Sequence, residues 1–162
     1  MIRIEKGRYD VWPGFSLKIP ELINFLPENV YQLVGPNGSG KSSFIHKLLL
    51  PQARDTKEIY LLCIQQQLHL QLYAMKALAA IYRPGLRMRN EEDLWSYLWE
   101  DLALQEDSHP VCVIADEAHS LVLPPDLRRP SCVIYSSHRY HLENTCQLHF
   151  EPISATESEI HV

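Results

Sequence analysis

Several features that mark whole classes of proteins are missing from this sequence. No apolar run approaches the roughly 20 residues of a membrane-spanning helix, and residues 1–6 alternate like a strand and lack the apolar core of a signal peptide. The four cysteines include no C-x-x-C pair, so neither a zinc knuckle nor a thiol-redox motif is indicated. We therefore expect a cytoplasmic protein whose cysteines are buried and reduced.

An excess of positive charge is also missing. The chain has 15 Lys and Arg residues against 20 Asp and Glu residues, which gives a formal net charge of −5 at pH 7. An overall positive field that would hold nucleic acid nonspecifically is therefore not expected. Local basic groups at 83–89 and 128–139 leave a nucleic-acid contact open, with solvated loop charges as the simpler interpretation. A length of 162 residues predicts one domain, 1–162, with a single layered core.

The most informative feature that is present is the glycine-rich loop, residues 35–42. Its sequence, GPNGSGKS, fits the phosphate-binding pattern G-x-x-x-x-G-K-S/T. Glycines let the backbone curl, so that successive N–H groups face phosphate oxygens. We expect Lys41 to bring its charge to the β- and γ-phosphates and the Ser42 hydroxyl to bind Mg²⁺. The predicted nucleotide-binding residues are Gly35, Pro36, Asn37, Gly38, Ser39, Gly40, Lys41, Ser42 and Ser43.

The segments around this loop predict an α/β fold with a mostly parallel sheet flanked by helices. A short apolar strand precedes the loop, and a helix follows it and is expected to end at Pro51. Further strands and helices alternate along the chain, which is typical of parallel sheets with ligands at the carboxyl ends of the strands. The predicted strands are 30–34, 58–64, 110–115 and 131–135, and the predicted helices are 41–50, 66–82 and one that begins at Asn90.

The two ends of the chain add β-structure to this pattern. Residues 1–34 predict a β-rich N-terminal entry with strands at 1–5, 8–12 and 15–19, and with a short helical piece at 22–26. Residues 147–150 and 159–162 are expected to add edge strands.

Polar residues after the predicted strands complete a candidate catalytic site. Asp116 and Glu117 follow the strand 110–115, where Asp116 would hold Mg²⁺ through its water shell and Glu117 would orient or deprotonate an attacking water. His138 follows the next strand and is expected to bond a phosphate oxygen. Three glutamines, 65–67, follow the strand 58–64, and the pattern leaves open which of them contacts Mg²⁺ or water.

Together these residues resemble the ATP-binding cassette ATPases, a family of P-loop NTPases. Residues 35–42 are close to the family's Walker A form, including its Pro-Asn pair, and residues 114–117 are similar to its Walker B strand. The resemblance implies the three-layer P-loop NTPase fold and Mg²⁺-dependent ATP hydrolysis. It also implies catalytic roles for Glu117, His138 (as the switch histidine) and Gln65 (as the Q-loop), and Mg²⁺ ligation by Ser42, Asp116 and Gln65.

The sequence also departs from this family. The signature near L-S-G-G-Q is absent, and residues 87–92 read RMRNEE where it should fall. The stretch 65–108 is shorter than the family's helical subdomain, which predicts a reduced helical insertion. We therefore expect a protein partner to supply the contacts that the signature would have made. Tyr9 and Trp12 are both candidates for stacking on the adenine base.

Two alternatives to a partner-coupled ATPase stay open. The first is a nucleotide-dependent binding module that switches its surface and turns ATP over slowly or not at all. The second is a helicase-like, nucleic-acid-stimulated ATPase, since residues 116–119 spell DEAH. Helicase chemistry needs a second motor domain that 162 residues do not provide.

Overall fold

The computed structural model describes residues 2–105, 109–117, 132–138 and 141–162. The chain has an α/β fold with a mixed, mostly parallel sheet of eight strands, a separate two-stranded sheet and a few helices. The strands are β1 (Ile2–Ile4), β2 (Gly7–Trp12), β3 (Phe15–Ile19), β4 (Ile23–Phe25), β5 (Val30–Val34), β6 (Tyr60–Ile64), β7 (Val111–Ala115), β8 (Cys132–Ser136), β9 (Cys146–Ser154) and β10 (Glu157–His161). The helices are α1 (Lys41–Phe44), a π-helical segment (Ile45–Leu49), α2 (Leu50–Asp55), α3 (Leu68–Tyr82) and α4 (Glu91–Gln105).

The order of strands in the large sheet is β2-β3-β10-β9-β5-β8-β7-β6. The strands β9, β5, β8, β7 and β6 run parallel, so their carboxyl ends meet at one edge. The chain leaves β5 toward β6 on one side and leaves β8 toward β9 on the other side. This reversal makes the β5–β8 boundary a topological switch point, where open α/β sheets bind their ligands.

Both faces of the central strands are buried, which explains their nearly continuous apolar sequences. Along β7 every residue is buried. Ile114 belongs to the core cluster that includes Leu33 and Phe44, whereas its neighbour Val113 belongs to the cluster that includes Leu94. Successive side chains of a strand point to opposite faces. The helix after the glycine-rich loop therefore covers one face of the sheet, and α3 and α4 cover the other.

The predicted strands of the central region are confirmed, and so are the helix predicted at 66–82, which is α3, and the start of α4. The Asn90 Oδ1 atom accepts a hydrogen bond from the backbone N–H of Asp93 at 2.9 Å, which satisfies a free donor in the first turn. The side chains of Leu72 and Ala79 on α3 and of Leu94 and Leu98 on α4 are buried. No described helix is long and apolar enough to cross a membrane.

Two expectations about the N- and C-terminal regions are wrong. Residues 23–25 form the strand β4, not a helical turn, and they pair with β1 because Ile23 and Phe25 alternate into the core. The strands β9 and β10 lie inside the sheet, since β9 pairs with β5 and β10 pairs with β3. The large sheet ends instead at β2 and β6.

The helix also continues past Pro51, where the sequence predicted its end. Proline lacks an N–H donor and clashes with the carbonyl four residues earlier in a regular helix. The π-helical segment widens the helix just before this point, and the backbone N–H of Leu50 bonds the carbonyl of Ile45. Pro51 then lies in the first turn of α2, where a missing donor is tolerated.

All four cysteines are free, as expected, but they are not all buried. Cys112 and Cys132 are buried opposite each other on β7 and β8. Cys63 is partly buried, and Cys146 is exposed at the start of β9.

Candidate functional site

The glycine-rich loop connects β5 to α1, and two of its glycines are required by the geometry. A Cβ atom at Gly40 would lie 2.7 Å from Leu17 Cδ2, and Gly40 has φ +93°, which other residues rarely adopt. A Cβ atom at Gly35 would lie 2.6 Å from the carbonyl oxygen of Phe150. The loop is therefore pressed against β3 and β9, and only glycine fits there.

The Lys41 side chain lies across this loop. Its Nζ donates hydrogen bonds to the carbonyl oxygens of Gly35 at 2.7 Å and Pro36 at 2.9 Å. Burial lowers the pKa of Lys41 below its ordinary value, while the charges of Glu117 and Asp116 act in the opposite direction. The ammonium group is thus held near the mouth of the loop and within electrostatic reach of both carboxylates.

The loop and Glu117 line one open cavity of about 370 Å³. The cavity is lined by Trp12, Phe15, Asn37, Gly38, Gly40, Lys41, Ser42, Ser43 and Glu117. A second cavity of about 580 Å³ shares Trp12 and Phe15 with the first and extends over Arg8 and Asp10. Trp12 and Phe15 therefore border both cavities.

Asp116 is the centre of a hydrogen-bond network that joins three elements of the fold. Its side chain is 3 % exposed. The Oδ1 atom accepts hydrogen bonds from Ser42 Oγ at 3.0 Å and Ser136 Oγ at 3.1 Å. The Oδ2 atom lies 3.1 Å from His46 Nε2. The helix after the loop, the end of β7 and the end of β8 are therefore tied together through a single carboxylate.

Glu117 has an unusual backbone conformation that aims its side chain into the cavity. Its φ of +51° is in the left-handed region, which costs a residue with a Cβ about 1 kcal/mol or more. The backbone N–H of Glu117 donates to Ser136 Oγ at 2.8 Å, which holds this turn in place. Such strain is typical of functional sites that the surrounding structure holds in position.

Of the three glutamines after β6, the structure brings Gln66 to the site. Gln66 Nε2 donates a hydrogen bond to Glu117 Oε2. The Gln65 side chain is exposed, and its backbone N–H donates to Gln71 Oε1 at 3.2 Å. Gln71 in turn donates to the carbonyl of Cys63 at 3.0 Å, which closes the turn. The resemblance implies Gln65, whereas the turn directs Gln66 toward Glu117, and a contact of Gln65 with Mg²⁺ stays a prediction.

His138 is exposed after the end of β8, next to the buried Ser137. Among the hydrogen bonds between described residues, none joins His138 to the loop or to Asp116 and Glu117. Its predicted contact with a phosphate stays a prediction. The residues 118–131, which include His119 of the DEAH sequence, lie outside the described residues.

Of the two aromatic candidates for base stacking, Trp12 lines the cavity and Tyr9 does not. Trp12 Nε1 donates a hydrogen bond to Ser43 Oγ at 2.8 Å, and Lys47 Nζ lies 4.2 Å from the centre of the Trp12 ring. The Tyr9 hydroxyl instead donates to the carbonyl of Glu5 at 2.7 Å. Trp12 is about half exposed, so part of its surface remains open.

Sequence reasoning missed His46 altogether. The residue lies four positions after Ser42 on the same helix, and residues at this spacing share a helix face. Because Ser42 was already a predicted Mg²⁺ ligand, this spacing could have indicated that His46 lies near the same site. The double contact of Ser136, the last residue of β8, with Asp116 and Glu117 was not expected either.

The residues present fit a nucleotide with Mg²⁺. The buried Ser39 hydroxyl of the loop has no hydrogen-bond partner within the described part of the chain. Ser42 and Asp116 offer oxygen donors, which Mg²⁺ prefers. In the described ranges no three His, Cys, Asp or Glu side chains are grouped to hold a metal by themselves. A Mg²⁺ ion here would take its remaining ligands from phosphates and water, as is usual for this ion.

Comparison with known proteins adds no family to these observations. No protein-family model matches the sequence, and no curated protein matches it either.

Proposed function

We propose that this protein is a cytoplasmic ATP-binding protein with a P-loop core of the ATP-binding cassette type, and that it hydrolyses ATP with Mg²⁺. The observation that carries the proposal is the meeting of two sequence-distant parts in one place. Lys41 and Ser42 share a cavity with Glu117, and Ser42 Oγ donates to Asp116 at 3.0 Å across 74 positions of the chain.

Each residue of the site has a role in this proposal. The loop N–H groups and Lys41 hold the β- and γ-phosphates, and Ser42 and Asp116 would hold Mg²⁺. When bound, Mg²⁺ supplies positive charge that offsets the charge on the phosphate oxygens. Glu117 orients the attacking water and accepts its proton, while Gln66 keeps the Glu117 carboxylate in place.

The second cavity supports a place for the nucleoside. Trp12 and Phe15 line this cavity as well as the cavity at the glycine-rich loop, which supports one extended ligand that occupies both. In this proposal the base stacks on the exposed part of the Trp12 ring. The ring is held in place by its hydrogen bond to Ser43 and its contact with the Lys47 ammonium group.

A protein partner is part of the proposal because the sequence lacks the signature near L-S-G-G-Q. In the family that this sequence resembles, this signature lies at a helix N-terminus and contacts the γ-phosphate. Here the corresponding helix α4 begins with the sequence EED, and Asp93 is engaged with Asn90 and Arg89. Acidic residues at this helix start repel a phosphate.

Calorimetry and phosphate-release assays with the whole chain test the proposal. We expect the wild-type protein to bind ATP in the presence of Mg²⁺ and Lys41→Ala to bind about 10- to 100-fold more weakly, because a charged hydrogen bond contributes about 1.5–3 kcal/mol. The exposed Lys57 gives the matched control Lys57→Ala. Absence of ATP binding by the wild-type protein at saturating Mg²⁺ would overturn the proposal.

Hydrolysis is tested separately from binding. Glu117→Gln is expected to lower phosphate release about 100- to 10,000-fold with little change in ATP affinity, which is the usual contribution of a general base. Glu21→Gln, at an exposed position after β3, is the control.

A nucleotide-dependent switch is the second candidate function, and the contact between Gln66 and Glu117 favours it. This contact occupies a carboxylate oxygen that a general base needs for water. Binding of ATP without Glu117-dependent phosphate release, with and without candidate partners, would support the switch and refute the ATPase. Stimulation of phosphate release by DNA or RNA would instead favour the helicase-like alternative.

A further inference from the structure

We propose that His46 is a positioning residue that fixes the Asp116 carboxylate for Mg²⁺ and thereby favours Mg²⁺ over Ca²⁺. This inference rests on the proposed function, since it concerns the metal that accompanies ATP. It adds a residue for which the sequence pattern predicted no role.

The contact itself has one chemical interpretation. A carboxylate oxygen can only accept a hydrogen bond, so His46 Nε2, 3.1 Å from Asp116 Oδ2, must carry the proton. The two hydroxyls of Ser42 and Ser136 both bond Oδ1. The two carboxylate oxygens are therefore engaged from different sides, and rotation of the carboxylate about its last bond would break all three contacts.

The backbone beneath His46 is rigid enough for such a role. His46 lies in the π-helical segment Ile45–Leu49, and its neighbours Phe44, Ile45 and Leu49 are completely buried. These side chains fix the helix against the sheet, so the imidazole is presented from a packed element and not from a loop. π-Helical turns of this kind are frequent at functional sites.

The engaged Oδ2 atom has a consequence for the choice of metal. Ca²⁺ takes more ligands than Mg²⁺ and often binds both oxygens of a carboxylate, whereas Mg²⁺ demands compact octahedral geometry. With Oδ2 held by His46, only Oδ1 of Asp116 lies on the side of Ser42, and it would exchange the hydrogen bond from Ser42 for the metal or its water shell. This arrangement suits Mg²⁺ or its water shell and disfavours two-oxygen binding of Ca²⁺.

The test compares His46→Leu, which removes the donor, with His46→Gln, whose amide N–H can replace it. Calorimetry measures ATP binding while magnesium chloride or calcium chloride is varied, and again in EDTA. We expect His46→Leu to raise the Mg²⁺ concentration for half-maximal ATP binding about 3- to 10-fold. Partners of metal-binding residues typically contribute 10- to 100-fold, and the lower range is expected because His46 is 45 % exposed.

Three further results complete the expectation. His46→Leu should leave ATP affinity in EDTA unchanged and should reduce the preference for Mg²⁺ over Ca²⁺. His46→Gln should keep the Mg²⁺ requirement and the metal preference of the wild-type protein. His69→Leu, at an exposed position of α3, is the control for loss of a histidine. Thermal melting of each variant separates a loss of folded protein from a change in metal response.

The outcomes distinguish this inference from the proposed function. If the wild-type protein binds no ATP with either metal, the proposed function is overturned and the proposed role of His46 is overturned with it. If the wild-type protein binds ATP with Mg²⁺ but His46→Leu has the same Mg²⁺ requirement and the same preference over Ca²⁺, only the role of His46 is overturned. A lower melting temperature with an unchanged metal response would show a structural role only.

Discussion

Two charged regions of this molecule form hydrogen bonds in very different surroundings. At the strand ends, Asp116 is almost fully buried and accepts three hydrogen bonds of 3.0–3.1 Å. On β3 and β10, Lys18 Nζ lies 2.7 Å from Glu159 Oε2, but the two side chains are 50 % and 18 % exposed. The shorter contact belongs to the region that water can screen.

We expect burial, and not distance, to decide how much each of these contacts contributes to the free energy of unfolding. An exposed ion pair competes with water and salt and contributes little to stability. A buried carboxylate that loses water must be satisfied by the protein, and its donors lose their acceptor when it is removed. We therefore expect substitutions in the two regions to differ most in the free energy of unfolding.

The largest effect is expected for Asp116→Ala. The hydroxyls of Ser42 and Ser136 would lose their buried acceptor, which is expected to lower the free energy of unfolding by about 2–3 kcal/mol. Urea unfolding measures this loss, and Asp116→Asn, which keeps one acceptor oxygen, should lose less. Equal stability of Asp116→Ala and the wild-type protein would break the comparison, because the buried network would then contribute no more than a surface pair.

An intermediate effect is expected for Ser136→Ala. Its hydroxyl donates to Asp116 and accepts from the backbone N–H of Glu117, so the substitution removes two hydrogen bonds. Asp116 keeps its contacts with Ser42 and His46. We expect a loss of about 1 kcal/mol in urea unfolding. Because this contact supports the strained backbone at Glu117, phosphate release should fall more than ATP affinity. Loss of affinity without any change in release would contradict that assignment.

The smallest effect is expected for Glu159→Gln, and it should depend on pH. The hydrogen bond from Lys18 holds the pKa of Glu159 below its ordinary 4.5, and the bond to Glu159 raises the pKa of Lys18 above its ordinary 10.5. The stabilisation is therefore complete between these values. It is lost as pH falls through the folded-state pKa of Glu159 or rises through that of Lys18.

Thermal melting measures this small contribution. At pH 7 and low salt we expect Glu159→Gln to lower the melting temperature by at most about 2 °C, and the difference should shrink as salt is added. A difference larger than that of Ser136→Ala, or one that persists in high salt, would show that burial is not what separates the two regions.

Local patterns predicted much of this molecule. Every residue of β7 and β8 is buried, and β5 and β6 are partly buried, so the identity of these apolar runs as strands depended little on what packs against them. The short segment 23–25 was misjudged because three residues carry too little periodicity to separate a strand from a helical turn. Pro51 was misjudged because a π-helical turn, which no simple pattern predicts, relieved its clash.

Residue-level contacts at the site were less predictable than the motifs. Asp116 directly follows β7, and Ser42 lies just after the loop that follows β5. Because parallel strands end at one edge of the sheet, the two residues were expected to lie close together. The choice between Gln65 and Gln66 depended on the turn that Gln71 closes, and a one-residue change in such a turn redirects the side chain. The preference for Trp12 over Tyr9 as the proposed base-stacking residue likewise depended on which cavity each residue lines.

The sequence alone determined the glycine-rich loop, the strand before it, the helix after it and the acidic pair that ends β7, because each follows from conformational freedom or periodicity over a few neighbouring residues. Only the tertiary structure decided that β8 lies between β5 and β7, which brings Ser136 to Asp116. It also decided that His46 meets a carboxylate 70 positions later in the chain. Strand order is set by the packing of the whole sheet, and no local pattern encodes it.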